Sequence, residues 1–121
     1  MTTFIVAALL IAGVVQLIPL IGVTGPRALQ RLYGIEVNEP GLVLLLRHRA
    51  VLLALVGLAL FAGVAVPQWR AAVIVFALVS KLSFLVLFAM TPSSNALIAR
   101  VAKVDAVTSA LLMAAGLLLW L

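Results

Sequence analysis

The sequence predicts an all-α integral membrane protein, an antiparallel four-helix transmembrane bundle with a short interfacial helix between the first and second spans. Three observations lead there. Of 121 residues, 67% are hydrophobic and only 9% charged, more apolar surface than a soluble domain of this size can bury. Four segments, Thr3 to Val23, Gly41 to Val66, Arg70 to Met90 and Leu97 to Leu121, reach the ~20 apolar residues that cross a hydrocarbon core. The connections VPQWR and TPSSNA are too short to join anything but antiparallel neighbours. The chain therefore reads as one four-span domain, residues 1–121.

The first span opens the chain as MTTFIVAALLIAGVVQLIPLIG. It lacks the basic start, short apolar region and small-residue cleavage site of a signal peptide, so it is read as a span, with a kink expected at Pro19. The connection TGPRALQRLYGIEVNEP then holds a short helix, about Pro26 to Tyr33. Thr24 or Gly25 suits its cap, Pro26 its first position, and Gly34 the left-handed residue that ends it. Arg27 and Arg31 share one face, while Ala28, Leu29 and Leu32 give an apolar side, as in a helix lying in the membrane interface. After the second span, Trp69 suits an aromatic belt and Arg70 the headgroups. After the third, Pro92 stops the helix, and Ser93, Ser94 or Asn95 can cap the fourth span.

Charge and composition narrow the function. The formal charge of +5 lies along apolar helices, without a basic arm or stacking aromatics, so nucleic acid is not the expected partner and membrane lipid is. Cysteine is absent and there is one histidine, which leaves no thiol relay, no thioether haem and no protein-only metal centre; no cofactor is expected. Arg27, Arg31, Arg47, Arg49, Arg100 and Lys103 fall on one side against Arg70 on the other. The positive-inside rule then places both termini in the periplasm, if the host is bacterial.

The second span carries Arg47, His48 and Arg49 in the run LVLLLRHRAVLLALVG. At 1.5 Å per residue, Arg47 lies roughly 9 Å along its helix from Gly41, Gln16 roughly 10 Å before Val23, Lys81 roughly 14 Å before Met90, and Asp105 roughly 12 Å after Leu97. Every span thus puts a polar residue at similar depth, with Ser80, Ser83, Thr108 and Ser109 close to that level. A lone charge within the bilayer costs about 2.5–3.5 kcal/mol, so Lys81 and Asp105 are expected to face each other or a shared cavity. Arg47 shares a face with Ala50, Ala54 and Gly57, a small-residue stripe that suits close packing, and is expected to point inward. Arg49 shares its face with Leu53, Val56 and Leu60 and is expected to snorkel, as are Arg100 and Lys103. His48 falls between the two.

Each of these residues has a structural role that competes with a functional one. Lys81 with Asp105 reads equally as a register-fixing ion pair, Gln16 as an interhelical hydrogen bond, and His48 as a hydrogen-bonding neighbour. The layer nevertheless holds Arg47 and Lys81 against one acid, Asp105, and a surplus buried cation requires an anion. Glu36 or Glu39, folding back onto Arg47 and Arg49, is one candidate. A bound lipid phosphate, carboxylate or quinone-like head is the other. The candidate ligand-binding set is Arg47, His48, Lys81, Asp105, Gln16, Arg49 and Glu36.

At GPRALQRLYGIEV, LLLRHRAVLLALVG and KLSF, with Ser83 and Phe84, the chain resembles the small four-span bacterial inner-membrane proteins of the DoxX-like type. The resemblance covers nearly the whole length and implies a four-helix bundle in the inner membrane, with no assigned activity. A phosphopantetheine adenylyltransferase activity, a label borne by some similar sequences, conflicts with the residues. Such an enzyme is a soluble α/β protein with a two-histidine phosphate motif, and this chain has one histidine and no predicted strand.

Three functions compete. The first is a membrane binding or accessory protein whose cationic cluster holds an anionic lipid, quinone-like or carboxylate ligand, or docks a partner subunit. The second is a small oligomeric transporter using Asp105 and Lys81. Four spans in so short a chain resemble the small multidrug exporters, although those use an acid in the first span, where this chain has Gln16. The third is an intramembrane enzyme using His48 with Asp105, for which nothing in the sequence places the two in reach. Gly57, Gly63, Ala110, Ala114 and Gly116 offer surfaces for self-association under any of them.

Overall fold

The computed structural model describes residues 2–35, 39–91 and 95–121. Among them the chain is helical and has no strand. Helix α1 runs Thr2–Leu17 and continues as a 3-10 segment, Ile18–Thr24. Helix α2 is Pro26–Tyr33, α3 is Pro40–Ala65, a 3-10 turn spans Pro67–Trp69, α4 is Arg70–Met90 and α5 is Ala96–Trp120. The four long segments are long and apolar enough to cross a membrane, and the chain is read as an integral membrane protein.

The first span is not a kinked α-helix, as expected from Pro19, but an α-helix that converts to 3-10. Pro19 has no N–H to give to the preceding turn, so the α ladder stops at Leu17 and the chain tightens. The 3-10 segment ends at Gly25, whose φ of 132° only glycine adopts readily. Thr24 does not cap α2; its Oγ1 donates to Ile21 O at 2.8 Å, and Gly25 takes the cap position. Gly34 closes α2 at φ 66°, its N–H donating to Gln30 O at 2.7 Å.

The later helix starts are set by side chains. Glu39 caps α3, its carboxylate accepting from Gly41 N at 2.9 Å and Leu42 N at 2.8 Å. Those two N–H groups hold the Glu39 carboxyl below the usual range for a glutamate. Asn95 caps α5 through Leu97 N at 2.9 Å and Ile98 N at 3.3 Å, while its Nδ2 donates to Tyr33 O at 2.6 Å. One side chain thus starts α5 and ties down the end of α2. Ser93 and Ser94 lie outside the described residues. Arg70, expected among headgroups, turns back to satisfy the end of α3, donating to Gly63 O at 2.9 Å and Val64 O at 3.1 Å.

Helix α1 packs on α3 and α5, α4 packs on α5 and α3, and α2 lies against the 3-10 segment and α5. The α1–α3 contact is the close one, because a Cβ on Gly57 would stand 2.9 Å from Gly13 O. Gly63 meets Val73 in the same way, at 2.6 Å. Both glycines are therefore spent on packing within the chain, and neither is open for the self-association surface the sequence suggested. Two apolar cores result. One gathers Leu9, Val56, Leu60, Ile74 and Leu112; the other gathers Leu29 and Tyr33 of α2 with Leu46, Ile98 and Val101.

Candidate functional site

Between the two cores lies the polar layer. Lys81 is 1% exposed, and its Nζ donates to Gln16 Oε1 at 2.6 Å and Asp105 Oδ1 at 3.1 Å. Gln16, 4% exposed, reaches Leu53 O with its amide nitrogen at 3.5 Å. The ammonium thus joins α1, α4 and α5, with a long contact to α3, so the expected pairing of Lys81 with Asp105 is present with Gln16 as a second acceptor. Asp105 is less enclosed, at 15%. Thr108 and Ser83 do not join the layer, since each hydroxyl donates to a carbonyl of its own helix, Val104 O and Ser80 O, both at 2.7 Å. The Ser109 hydroxyl is buried without a hydrogen-bond partner among the described residues.

The arginines depart from expectation, and they do so as a pair. Arg47 points outward: it is exposed, and its Nε donates to Val23 O at 2.7 Å. Its small-residue stripe packs on α1 and the 3-10 segment, with Ala50 Cβ 3.6 Å from where a Cβ on Gly22 would stand. One turn nearer the helix start, the same face meets the end of that segment, and Arg47 supplies a donor to its terminal carbonyl. Arg49, expected to snorkel, is the inward one. Val56 and Leu60 on its face are the buried residues that α3 contributes to the core shared with α1, α4 and α5, whereas Ala50 and Ala54, also buried, are not part of it.

Arg49 is half-buried between α2 and α4. Its Nη1 donates to the Tyr33 hydroxyl, and its guanidinium carbon lies 5.2 Å from the Tyr33 ring centre and 5.6 Å from that of Phe84. Both are cation–π distances. The only ion pair among the described residues is Lys81–Asp105, so Arg49 has no carboxylate there. Glu39 does not fold back onto the arginines, being held at the start of α3. Glu36 lies outside the described residues. His48 is exposed and borders none of the cavities that hold Asp105, so the two are not brought together. Arg100 and Lys103 are exposed, and Arg100 edges one cavity.

Two cavities meet at this layer. The first, about 240 Å³, lies under α2 between the 3-10 segment, α3 and α5, walled by Val15, Ile18, Leu32, Val101 and Val104. The second, about 460 Å³, lies between α3 and α4, walled by Leu52, Leu55, Phe76 and Leu87. Gln16, Arg49, Leu53 and Asp105 border both. An apolar hollow with a few convergent polar groups is the usual form of a small-molecule site. Tyr33 went unnoticed in the sequence, although its place four residues after Leu29, on the apolar side of α2, was the available signal. No group of three His, Asp or Glu side chains that would hold a metal ion occurs among the described residues. No family model, curated protein or solved structure matches this chain.

Proposed function

We propose that this protein is a small membrane binding protein that holds an anionic amphiphile, its head at Arg49 in the polar layer and its tail in the adjoining apolar cavity. The observation that carries the reading is Arg49. The Arg49 side chain is half-buried and borders the two cavities of the layer and a third of about 160 Å³, with the Tyr33 phenol and the Phe84 ring against its guanidinium and no ion-pair partner among the described residues. Within the layer, Arg49 and Lys81 stand against Asp105 alone among the described residues, and a surplus cation at membrane depth calls for an anion.

The setting belongs to the same proposal. The long helices form an antiparallel bundle in a bacterial inner membrane, with both termini periplasmic, and α2 lies at the cytoplasmic interface with Arg27 and Arg31 toward the headgroups. A ligand reaches the cavities from the bilayer. Transport through Lys81 and Asp105 is the weaker reading, because the ammonium is enclosed and already has two acceptors.

Native mass spectrometry of the protein in mild detergent, with extraction of bound lipid, tests this on wild type, Arg49→Ala and Glu36→Gln. The expected result is an amphiphile adduct on wild type and Glu36→Gln that is missing from Arg49→Ala. An unliganded wild type, together with equal losses of thermal stability in the two variants, would mean that Glu36 closes Arg49 internally, and the reading would fail.

A further inference from the structure

We infer that the ligand class is a single-chain carboxylate, in preference to a two-chain phospholipid or a phosphate monoester. This rests on the ligand reading above and specifies its head and its tail. The head follows from charge. Lys81 Nζ is engaged by Gln16 and Asp105, and Arg100 is exposed at the cavity edge, which leaves the Arg49 guanidinium as the half-buried cation open to a ligand among the described residues. Asp105 borders the same two cavities, so a head placed on Arg49 also feels a carboxylate. A monoanion neutralises the surplus cation of the layer, whereas the second charge of a dianion would sit beside Asp105 with only the exposed Arg100, at the edge of the cavity under α2, for a counterpart.

Shape and hydrogen bonding agree. A guanidinium presents planar pairs of N–H groups that match the two oxygens of a carboxylate. The Tyr33 hydroxyl accepts from Arg49 Nη1, which leaves its own hydrogen to donate toward the same head. The tail follows from volume. Of the two cavities at the layer, both bordered by Arg49, only the one under α2 also has Tyr33 in its lining; it measures about 240 Å³, against about 460 Å³ for the other and the roughly 300–1,000 Å³ of sites that enclose drug-sized molecules, and its walls are largely branched aliphatic side chains. One alkyl chain suits that space, and a diacyl glycerol body does not.

The test compares dodecanoate, dodecyl phosphate, dodecanol and phosphatidylglycerol, added to the full chain in dodecyl maltoside at about pH 8, where the phosphate monoester is mostly a dianion. Binding is read by native mass spectrometry and by the carboxyl carbon resonance of labelled dodecanoate, with Arg49→Gln and Tyr33→Phe as variants. Dodecanoate is expected to bind at least about ten-fold tighter than the other three, to be lost in Arg49→Gln, and to weaken roughly ten-fold in Tyr33→Phe, as for a lost hydrogen bond to a charged group. Tyr33→Phe keeps the ring, so it reports on the head even if Arg49→Gln folds poorly. Equal or tighter binding of dodecyl phosphate or phosphatidylglycerol, still dependent on Arg49, would overturn the carboxylate assignment and leave the amphiphile reading standing. Binding of none of the four, or equal binding of dodecanol, would overturn both.

Discussion

Replacing Asp105 with asparagine removes the one carboxylate that the described residues offer to Lys81, and the structure sets how much this should cost. The ammonium is 1% exposed and its other acceptor is the neutral amide oxygen of Gln16, so Asp105→Asn leaves a full charge enclosed without a counterion. Breaking a buried pair from one side costs about 3–5 kcal/mol. The reverse change is milder. Lys81→Met strands a carboxylate that is 15% exposed and borders the same two cavities as the Arg49 guanidinium, so a cation remains near it, and about 1–3 kcal/mol is expected. The double variant removes both charges and keeps a side chain of similar volume inside, so it should lie within about 1–2 kcal/mol of wild type and be more stable than Asp105→Asn alone. Unfolding in mixed micelles by titration with dodecyl sulfate, followed by far-ultraviolet circular dichroism, gives the four free energies of this cycle. An Asp105→Asn variant no worse than Lys81→Met, or a double variant whose loss equals the sum of the single losses, would refute the claim that the enclosed ammonium dominates the layer.

Packing and capping give three further expectations. Gly57→Ala should destabilise by about 1–3 kcal/mol, because its Cβ would stand 2.9 Å from the backbone oxygen of Gly13, which cannot move aside as a side chain can; Gly116→Ala, with Ile74 Cγ2 at 3.5 Å, should be near neutral in the same unfolding assay. Asn95→Ala should lose about 0.5–2 kcal/mol as a lost cap, and hydrogen exchange should quicken at the end of α2 as well as the start of α5, since Tyr33 O loses its donor; acceleration in α5 alone would count against the bridge. At Glu39 the carboxylate form is favoured in the folded chain, so its contribution to the first turn of α3 is present above the unfolded value of 4.5 and fades as pH falls through the lower folded value. The amide shifts of Gly41 and Leu42 should titrate with a midpoint below 4.5, and a midpoint at or above it would mean that the cap does not hold in solution.

Most of the fold was legible because it follows from local chemistry. Span lengths come from the hydrocarbon thickness, and the ends of α2 from Pro26 and Gly34, whose effects act within a few residues; Asn95, the cap of α5, was one of three candidates, and the cap at Glu39 was not read. Depth was legible too. Counting along each helix puts Gln16, Lys81 and Asp105 at one level, and they meet there at 2.6 and 3.1 Å. The break at Pro19 was visible as a break but not as a passage into 3-10, since proline removes a donor without dictating which alternative the next turn adopts.

What the sequence could not supply was the direction each face of α3 takes, and the error at Arg47 and Arg49 has a physical source. A stripe of small residues marks where another backbone comes close, and here that partner is α1 with its 3-10 extension, a neighbour to one side rather than the shared interior. To the core shared with α1, α4 and α5, α3 contributes Val56 and Leu60, so the arginine in line with those two is the one carried inward. A snorkelling arginine would have reversed this order, but snorkelling needs a free path to the headgroups. On the inner face α2 lies over Arg49 and lays Tyr33 against its guanidinium. The amphipathic helix between the first two long segments therefore has a consequence beyond its own packing: by lying over the end of the polar layer, it holds the Arg49 guanidinium half-buried against Tyr33 and Phe84, without an ion-pair partner among the described residues.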